Sequence, residues 1–294
     1  MKVGLYQSKG DASSLEEFEV YNALNRRHDV EEVIFLSPGK FKLMIESSRL
    51  YLNYGEFNIE PGIFDVLIIR GDFASVTNAI VLADYCRSIG IKVFDNNLTR
   101  IKYLINKKAD YVKLINAGIR VPNTYFFSSL DRFKEANLKF PLVMKPPHTG
   151  QGYNVMKVES YDDVERILLE LDKSIQKFMF QEMIEYEHDL RVLTAGDEVV
   201  GCMKRIPPEG DFRANFSIGG SVEPFQVNDR IKELAIKAMK ACDLLVAGVD
   251  ILIDKKGEMW LLETNHTPGI EGITQALGRQ VADRFTEFMI RHAC

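Results

Sequence analysis

The sequence predicts an α/β fold that becomes α+β in character along the chain. Through about residue 100, short apolar runs alternate with segments of helical length, which is typical of a parallel sheet with crossover helices. From about residue 140 onward, strand-like runs follow one another across short turns, which favours antiparallel hairpins. A chain of 294 residues has room for two or three modules of these kinds.

The first module is predicted to be a small doubly wound, Rossmann-like domain. Its strands are expected at 2–8, 31–37, 64–71 and 92–96, with helices around 14–27 and 76–89. Gly4 and Gly10 do not form the glycine triplet of a dinucleotide fold, so no nicotinamide site is indicated. Arg70 and Asp72 end a predicted strand, where open sheets bind ligands, although ordinary loop polarity is the favoured explanation.

The composition argues against several functional classes. A formal net charge of −5 gives no general attraction to nucleic acid or to an anionic membrane. Because no apolar run reaches the roughly 18 residues that span a bilayer, and the first residues lack the apolar core of a signal peptide, we expect a cytoplasmic protein. The four cysteines are scattered, so neither a zinc site nor a redox pair is predicted, and Cys242 is expected in the core.

A lysine and two glycines indicate a phosphate site. A basic helix is predicted around 101–122, and the run FPLVMKPPHTGQGYNVMKV (140–158) then predicts a strand ending at Lys145, a turn with Gly150 and Gly152, and a second strand. Glycine-loop amides and an ammonium group together suit a di- or triphosphate. The lysine precedes the glycines, unlike in a Walker loop, and a plain hairpin turn fits the same residues.

Further strands are predicted around 178–184, 190–195 and 198–206, after an amphipathic helix with Val164, Ile167, Leu168 and Leu171 on its apolar side. Adenine is expected against the first of these strands. The residues whose backbone would bond it are Gln181, Glu182, Met183 and Ile184. Either Asp189 or Glu187 would accept the ribose hydroxyls.

Arginines follow in the run KRIPPEGDFRANFSIGG (204–220). Arg205, Arg213 and Asn215 suit a developing acyl or phosphoryl charge, because a guanidinium stays protonated and binds two oxygens at once. A charged surface loop is the alternative interpretation.

A hairpin near the C-terminus supplies candidate metal ligands. The runs GVDILID (248–254) and EMWLLETN (258–265) flank a short turn, and period-two alternation puts Glu263 and Asn265 on one face, with Asp250 across from them. Two carboxylates and an amide oxygen are ligands that Mg²⁺ accepts, with positions left for water and phosphate. A hairpin whose polar face is exposed to solvent would have the same sequence pattern.

These segments together resemble the ATP-grasp ligases, specifically the RimK-like carboxylate–amine (glutamate) ligase branch. The matching runs are NKKADYVKLINAGIRVPNT (106–124), PLVMKPPHTGQG (141–152), DLRVLTAGDEVVGCMKR (189–205), EGDFRANFSIGG (209–220), AGVDILID (247–254) and LETNHTPGIEGI (262–273). The resemblance implies an ATP-grasp fold with an N-terminal pre-ATP-grasp domain over 1–100, a central subdomain over 101–185 and a catalytic subdomain over 186–294. The sequence departs from the family pattern at TGQGYN and at His266-Thr267.

Carried over residue by residue, the resemblance implies a complete ATP site. Lys107 and Lys145 would contact phosphates, with the loop glycines Gly150 and Gly152, and Asp189 would bind the ribose. Arg213 and Asn215 would lie at the γ-phosphate. Arg205 would lie at the reacting carboxylate, with Arg191 as a further candidate catalytic arginine. Asp250, Glu263 and Asn265 would hold two Mg²⁺ or Mn²⁺ ions.

The implied reaction is ATP-dependent amide formation through an acyl phosphate. The partners would be ATP, a carboxylate acceptor (a peptide, a carrier protein or a small metabolite) and an amino-acid amine donor such as glutamate; no membrane or nucleic-acid partner is indicated. The alternatives are another ATP-grasp peptide or cofactor-tail ligase and a non-catalytic nucleotide-binding regulator. We expect a homo-oligomer, lids at 148–154 and 207–219, and a last helix over 273–289 in the core or in a subunit interface.

Overall fold

The computed structural model describes residues 1–7, 15–47, 49–70, 76–95, 97–98, 106–148, 154–208, 210–211, 213–214 and 220–294. The predicted site residues Gly150, Gly152 and Asn215 lie outside the described residues, as do 149–153 of the first predicted lid and 209, 212 and 215–219 of the second.

The N-terminal module is a parallel sheet, as predicted. Its strands are β1 (Lys2–Gln7), β2 (Glu32–Leu36), β6 (Val66–Arg70) and β7 (Lys92–Phe94), in the order β2-β1-β6-β7. The crossover helices are α1 (Leu15–Asn25) and α2 (Val76–Ser88). Every described residue of β6 is buried, because helices or loops cover both faces of a parallel sheet.

An antiparallel meander lies between β2 and β6, where the sequence analysis assigns no element. Its strands are β3 (Phe41–Glu46), β4 (Arg49–Tyr54) and β5 (Phe57–Asn58), in that spatial order. Leu52 and Tyr54 of β4 are buried beside Tyr6 and Phe64, so this end of the meander packs on the core of the first module.

The second sheet carries the predicted lysine strand. Its strands are β8 (Thr124–Tyr125), β9 (Leu142–Lys145), β10 (Met156–Val158) and β11 (Met179–Glu182), in the order β10-β9-β11-β8. Helices α4 (Leu130–Glu135) and α5 (Tyr161–Glu170) pack on this sheet, and the helix that precedes it in the chain is α3 (Lys107–Asn116). The prediction for α5 is confirmed, since Val164, Ile167 and Leu168 are buried. Helix α3 ends at Asn116, within the predicted helical stretch, because Gly118, at φ +68°, follows it.

The third sheet is antiparallel and has the order β14-β13-β12-β15-β16. Its strands are β12 (Tyr186–Ala195), β13 (Glu198–Ile206), β14 (Ser221–Pro224), β15 (Val246–Asp254) and β16 (Met259–Asn265), and its helices are α6 (Asp229–Ala241), α7 (Glu271–Leu277) and α8 (Gln280–Arg291). The prediction of one continuous last helix is wrong. Gly278, at φ +89°, separates α7 from α8, since a left-handed residue ends a helix.

Helix α8, near the C-terminus, packs against the N-terminal sheet. Phe285 and Met289 are fully buried in one cluster with Val3 and Ile68 of the first sheet, so these positions of the last helix are core. Cys242 is also buried, as predicted. The domain boundaries at 100/101 and 185/186 stay a prediction. No helix in the described ranges has the length and hydropathy needed to cross a membrane.

Candidate active site

A cleft of about 980 Å³, open to solvent, lies between the second and third sheets. The residues that line it are Lys107, Val143, Lys145, Pro146, Val155, Gln181, Glu182, Met183, Ile184, Tyr186, Asp189, Arg191, Arg205, Arg213, Ala214, Asp250, Leu252, Leu262, Glu263 and Asn265. Every described residue that the sequence analysis placed in the site therefore lies in one cavity. Their roles stay predictions, and the side chain of Glu187 is outside the described part of the chain.

Strand register brings the candidate metal ligands together. Arg191 on β12 pairs with Asp250 on β15, and Asp250 pairs with Glu263 on β16, while Asn265 lies opposite Gly248. Directly paired residues of an antiparallel sheet project from the same face. The hairpin register that alternation predicted is thus confirmed, and the row faces the cleft.

Two arginines neutralise the buried carboxylates of the third sheet. Arg205 donates to both oxygens of Asp189, at 2.6 and 2.8 Å, and its Nη2 lies 3.1 Å from Asp250 Oδ2. Arg191 Nη2 donates to the same Asp250 oxygen at 3.1 Å. Burial raises the pKa of Asp250 and outweighs the opposing effect of the charges of Arg191 and Arg205. For Arg205, burial is the largest single effect and lowers the pKa, but the nearby Asp189 and Asp250 together raise it above its usual range.

The two predicted phosphate lysines converge on the same space from the other side. Lys107 Nζ lies 3.6 Å from Glu263 Oε1, and Lys145 Nζ donates to Gln181 Oε1 at 2.8 Å. Burial, with the nearby charge of Lys107, lowers the pKa of Lys145 to about 8. Burial alone would raise the pKa of Glu263, but the two lysines together lower it. The adjacent Lys108 does not share this position, since its Nζ lies 4.6 Å from the centre of the Phe126 ring.

The donor set fits a hard divalent cation. Asp250 Oδ1 is buried, and no described group gives it an aligned hydrogen bond, although Arg191 Nε lies 2.5 Å away. Asn265 Oδ1 accepts from the backbone N–H of Thr267 at 3.0 Å and keeps a second lone pair. The described residues contain no cluster of three His, Cys, Asp or Glu side chains suited to a metal, so the predicted site rests on two carboxylates, an amide and the phosphates of a bound nucleotide.

Arg213 and the predicted adenine segment, Gln181–Ile184, line the same cleft. Arg213 is tied to Asp211, with Nη2 and Oδ2 2.7 Å apart. Glu182 accepts from the backbone and the side chain of Asn123, at 2.9 and 2.8 Å. Gln181 donates to Tyr111 Oη at 2.9 Å and accepts from Lys145, so its side chain links α3 to Lys145.

Distant residues that were not predicted from the sequence support the segment after β16. Asn97 donates to the carbonyls of Val246 and His266, at 2.9 and 2.6 Å, and Arg70 donates to the carbonyl of Pro268 at 2.8 Å. His266 Nε2 lies 3.1 Å from Asp110 Oδ2, with both side chains buried. Arg70 and His266 drew attention in the sequence, but these partners are more than 150 residues away and leave no local signal.

A protein-family model described as "RimK-like ATP-grasp domain" matches residues 104–289. The chain belongs to the RimK-like ATP-grasp family. This RimK-like chain is 40% identical over 151 residues to "Probable alpha-L-glutamate ligase 2" of Shewanella amazonensis, a match that covers 51% of the chain and 50% of the relative. The chain thus spans about half the length of the first curated relatives it matches. Against "Probable alpha-L-glutamate ligase 2" of Shewanella putrefaciens it is 38% identical over 267 residues, covering 86% of the chain and 87% of the relative.

The RimK-like chain also shares its fold with solved ATP-grasp ligases. The structure of the ATP-grasp ligase PsnB, complexed with a phosphomimetic variant of minimal precursor, Mg and ADP, matches with a TM-score of 0.70. That match covers 98% of this chain and 97% of PsnB at 18% sequence identity. The predicted ATP-grasp fold with an N-terminal α/β domain is confirmed.

Proposed function

We propose that this protein is an ATP-dependent carboxylate–amine ligase that forms an amide bond through an acyl phosphate. The observation that carries the proposal is the cleft itself, in which lysines on one wall face carboxylates and arginines on the other. That arrangement suits a metal–triphosphate, because the lysines balance phosphate charge and the carboxylates take up the cation. Membership of the RimK-like family supports the same conclusion.

In this proposal the nucleotide lies along β11. Backbone groups of Gln181–Ile184 bond adenine, and Asp189 accepts a ribose hydroxyl through a lone pair that Arg205 does not use. Lys107, Lys145 and Arg213 contact the phosphates, together with Asn215 and the glycine loop.

Two divalent cations, Mg²⁺ or Mn²⁺, would be held by Asp250, Glu263 and Asn265 and would neutralise charge on the phosphates. The acceptor carboxylate attacks the γ-phosphorus, the bond to the β–γ bridging oxygen breaks, and ADP leaves. The amine then attacks the acyl carbon, loses a proton and expels inorganic phosphate. Arg205 and Arg191 hold the reacting carboxylate, and buried carboxylates fix the planes of both guanidinium groups.

The substrate class follows from the relatives. Proteins named probable alpha-L-glutamate ligase align over most of this chain, so we propose glutamate or a similar amino acid as the amine donor. The acceptor would be a carboxylate of a peptide, a carrier protein or a small metabolite.

A coupled screen tests the proposal. The protein is incubated with ATP and Mg²⁺, each of the twenty amino acids, and either glutamate-terminated peptides or small carboxylates, and ADP and product masses are recorded. We expect a mass gain of one amino acid less water in at least one pair. Glu263→Gln should lower ADP release on the order of 100- to 1000-fold, because it removes a charged ligand. Glu258→Gln, on the same hairpin but exposed and paired with Arg120, is the matched control and should keep full activity. ADP release that is equal in both variants would contradict the site.

A further inference from the structure

The β3–β4 hairpin carries an apolar face that begins in the core and continues into solvent. Leu43 is paired with Leu52, and Ile45 is paired with Leu50, so all four side chains share one face. Leu52 is 4% exposed, whereas Leu43, Leu50 and Ile45 are 46%, 42% and 74% exposed. Single exposed apolar side chains are ordinary, but a contiguous set on one sheet face marks an interaction surface.

Strand β3 also lies at the end of its sheet. The spatial order is β3-β4-β5, and no described strand pairs with the outer side of β3. An edge strand presents backbone N–H and C=O groups that another strand can pair with. The exposed apolar face and the open edge therefore coincide on the same strand.

The sequence of this strand is complementary to itself when it is read in the opposite direction. It runs Lys42-Leu43-Met44-Ile45-Glu46. If two copies pair antiparallel with Met44 opposite Met44, each Lys42 faces Glu46 of the other copy and each Leu43 faces Ile45. Opposite charges and apolar pairs are the cross-strand partners that stabilise antiparallel sheets.

We propose that β3 is a homodimer contact, in which two copies of this chain join their edge strands about a twofold axis through Met44. The second copy binds at the open edge of β3, so Leu43 of each copy lies beside Ile45 of the other across the twofold axis. The interface is isologous, as expected for a twofold dimer, and it extends each meander into one continuous antiparallel sheet. No residue of β3–β5 lines the cleft, so the contact leaves the active site open.

The charges of Lys42 and Glu46 favour this register over the neighbouring strand registers. When the twofold axis is perpendicular to the sheet, each residue of one copy lies opposite a residue of the other, and the two residue numbers always add up to the same even number. Centring the axis on Lys42 or on Glu46 places like charges together. Centring it on Ile45 leaves both charges opposite uncharged residues, and centring it on Leu43 leaves Lys42 opposite Met44 and puts Glu46 opposite Lys40, which precedes the strand. Only the register through Met44 pairs both charges with their opposites.

Charge reversal tests the interface without threatening the fold, since Lys42 and Glu46 are both exposed. Sedimentation equilibrium should give a dimer for the natural sequence. Lys42→Glu should weaken dimerisation on the order of 10-fold or more, because two symmetry-related pairs become repulsive. Glu46→Lys should do the same. The double reversal Lys42→Glu/Glu46→Lys should restore dimerisation, since it rebuilds both pairs in the same register.

Disulfide trapping tests the register directly. In a Cys294→Ser background, which removes the exposed cysteine, Met44→Cys should form a cross-linked dimer under mild oxidation. Ile45→Cys is the matched control and should not cross-link, because its own counterpart would lie about 8 Å away between Cα atoms, beyond disulfide reach. A protein that is monomeric at the highest concentration reached, or a dimer that is unaffected by either single reversal, would overturn the proposal. Equal cross-linking at positions 44 and 45 would overturn the register.

Discussion

Replacing Gly248 with alanine is expected to disable the cleft without unfolding the protein. An added methyl carbon at this position would lie 2.5 Å from Arg191 Nη1, 3.2 Å from Arg191 Cδ and 3.1 Å from Pro268 Cβ. Pro268 is rigid, so the guanidinium of Arg191 must move. That movement would separate Arg191 from Asp250. In the natural protein, Arg191 Nε lies 2.5 Å from Asp250 Oδ1 and Arg191 Nη2 lies 3.1 Å from Asp250 Oδ2. Of the two arginines, Asp250 would then keep the contact with Arg205 alone.

The magnitude follows from two effects. Overpacking of this kind destabilises a protein by about 1–3 kcal/mol. Loss of one positioned charged donor lowers turnover on the order of 100-fold. We therefore expect Gly248→Ala to melt a few degrees lower and to release ADP about 100-fold more slowly, measured per folded molecule by coupled assay and calorimetry.

Gly201→Ala is the matched control. Its added methyl carbon would lie 2.8 Å from Leu277 Cδ1 and 3.2 Å from Ile273 Cδ1, in the core and away from the cleft. It should lower the melting temperature by a comparable amount and leave the turnover of folded protein unchanged. If the two alanine variants turn over equally, the assignment of Arg191 to the reaction is refuted.

The remaining predictions concern Lys145, Asn97 and the divalent cation. Because the pKa of Lys145 is lowered to about 8 in the free cleft and phosphates would raise it, ATP binding at about pH 9 should take up a proton and weaken as pH rises. Calorimetry in two buffers of different ionisation enthalpy measures that uptake, which Lys145→Arg should abolish; equal heats for the natural protein would contradict it. Asn97→Gly keeps the left-handed backbone of this residue (φ +76°) but removes its bonds to Val246 and His266, so we expect about 2–4 kcal/mol less stability in urea unfolding and a higher KM. Unchanged unfolding would show that Asn97 does not support the segment after β16. Chelation with EDTA should reduce binding of an ATP analogue at least 10-fold, with Mg²⁺ restoring it; tight binding in EDTA would contradict the metal assignment.

The site was predictable where its signal is local. Alternation along GVDILID and EMWLLETN predicted that Asp250 lies across from Glu263, whereas the β-bulge between Asp250 and Ile251 that brings the two residues opposite each other left no sequence signal. The strand ending at Lys145 was likewise visible as an apolar run before a polar turn.

Other features depend on contacts that a one-dimensional pattern does not contain. Asn97 bonds to residues about 150 positions away, and Asp110 meets His266 only because α3 packs beside β16. The break between α7 and α8 is a different case. Gly278 is visible in the sequence, but the apolar residues on either side of it keep helical spacing, so one continuous helix was predicted. The β3–β4 hairpin was missed although its strands pair locally, since Leu43, Ile45 and Leu50 on one face and Met44 and Tyr51 on the other make both faces partly apolar.

The central claim is that this cleft transfers the γ-phosphoryl group of ATP to a carboxylate. Once the screen identifies an acceptor, its carboxylate is labelled with oxygen-18 and the released phosphate is analysed by mass spectrometry. We expect one labelled oxygen in each phosphate formed, because the acyl phosphate leaves its bridging oxygen with phosphorus. Amide formation that releases only unlabelled phosphate would contradict it.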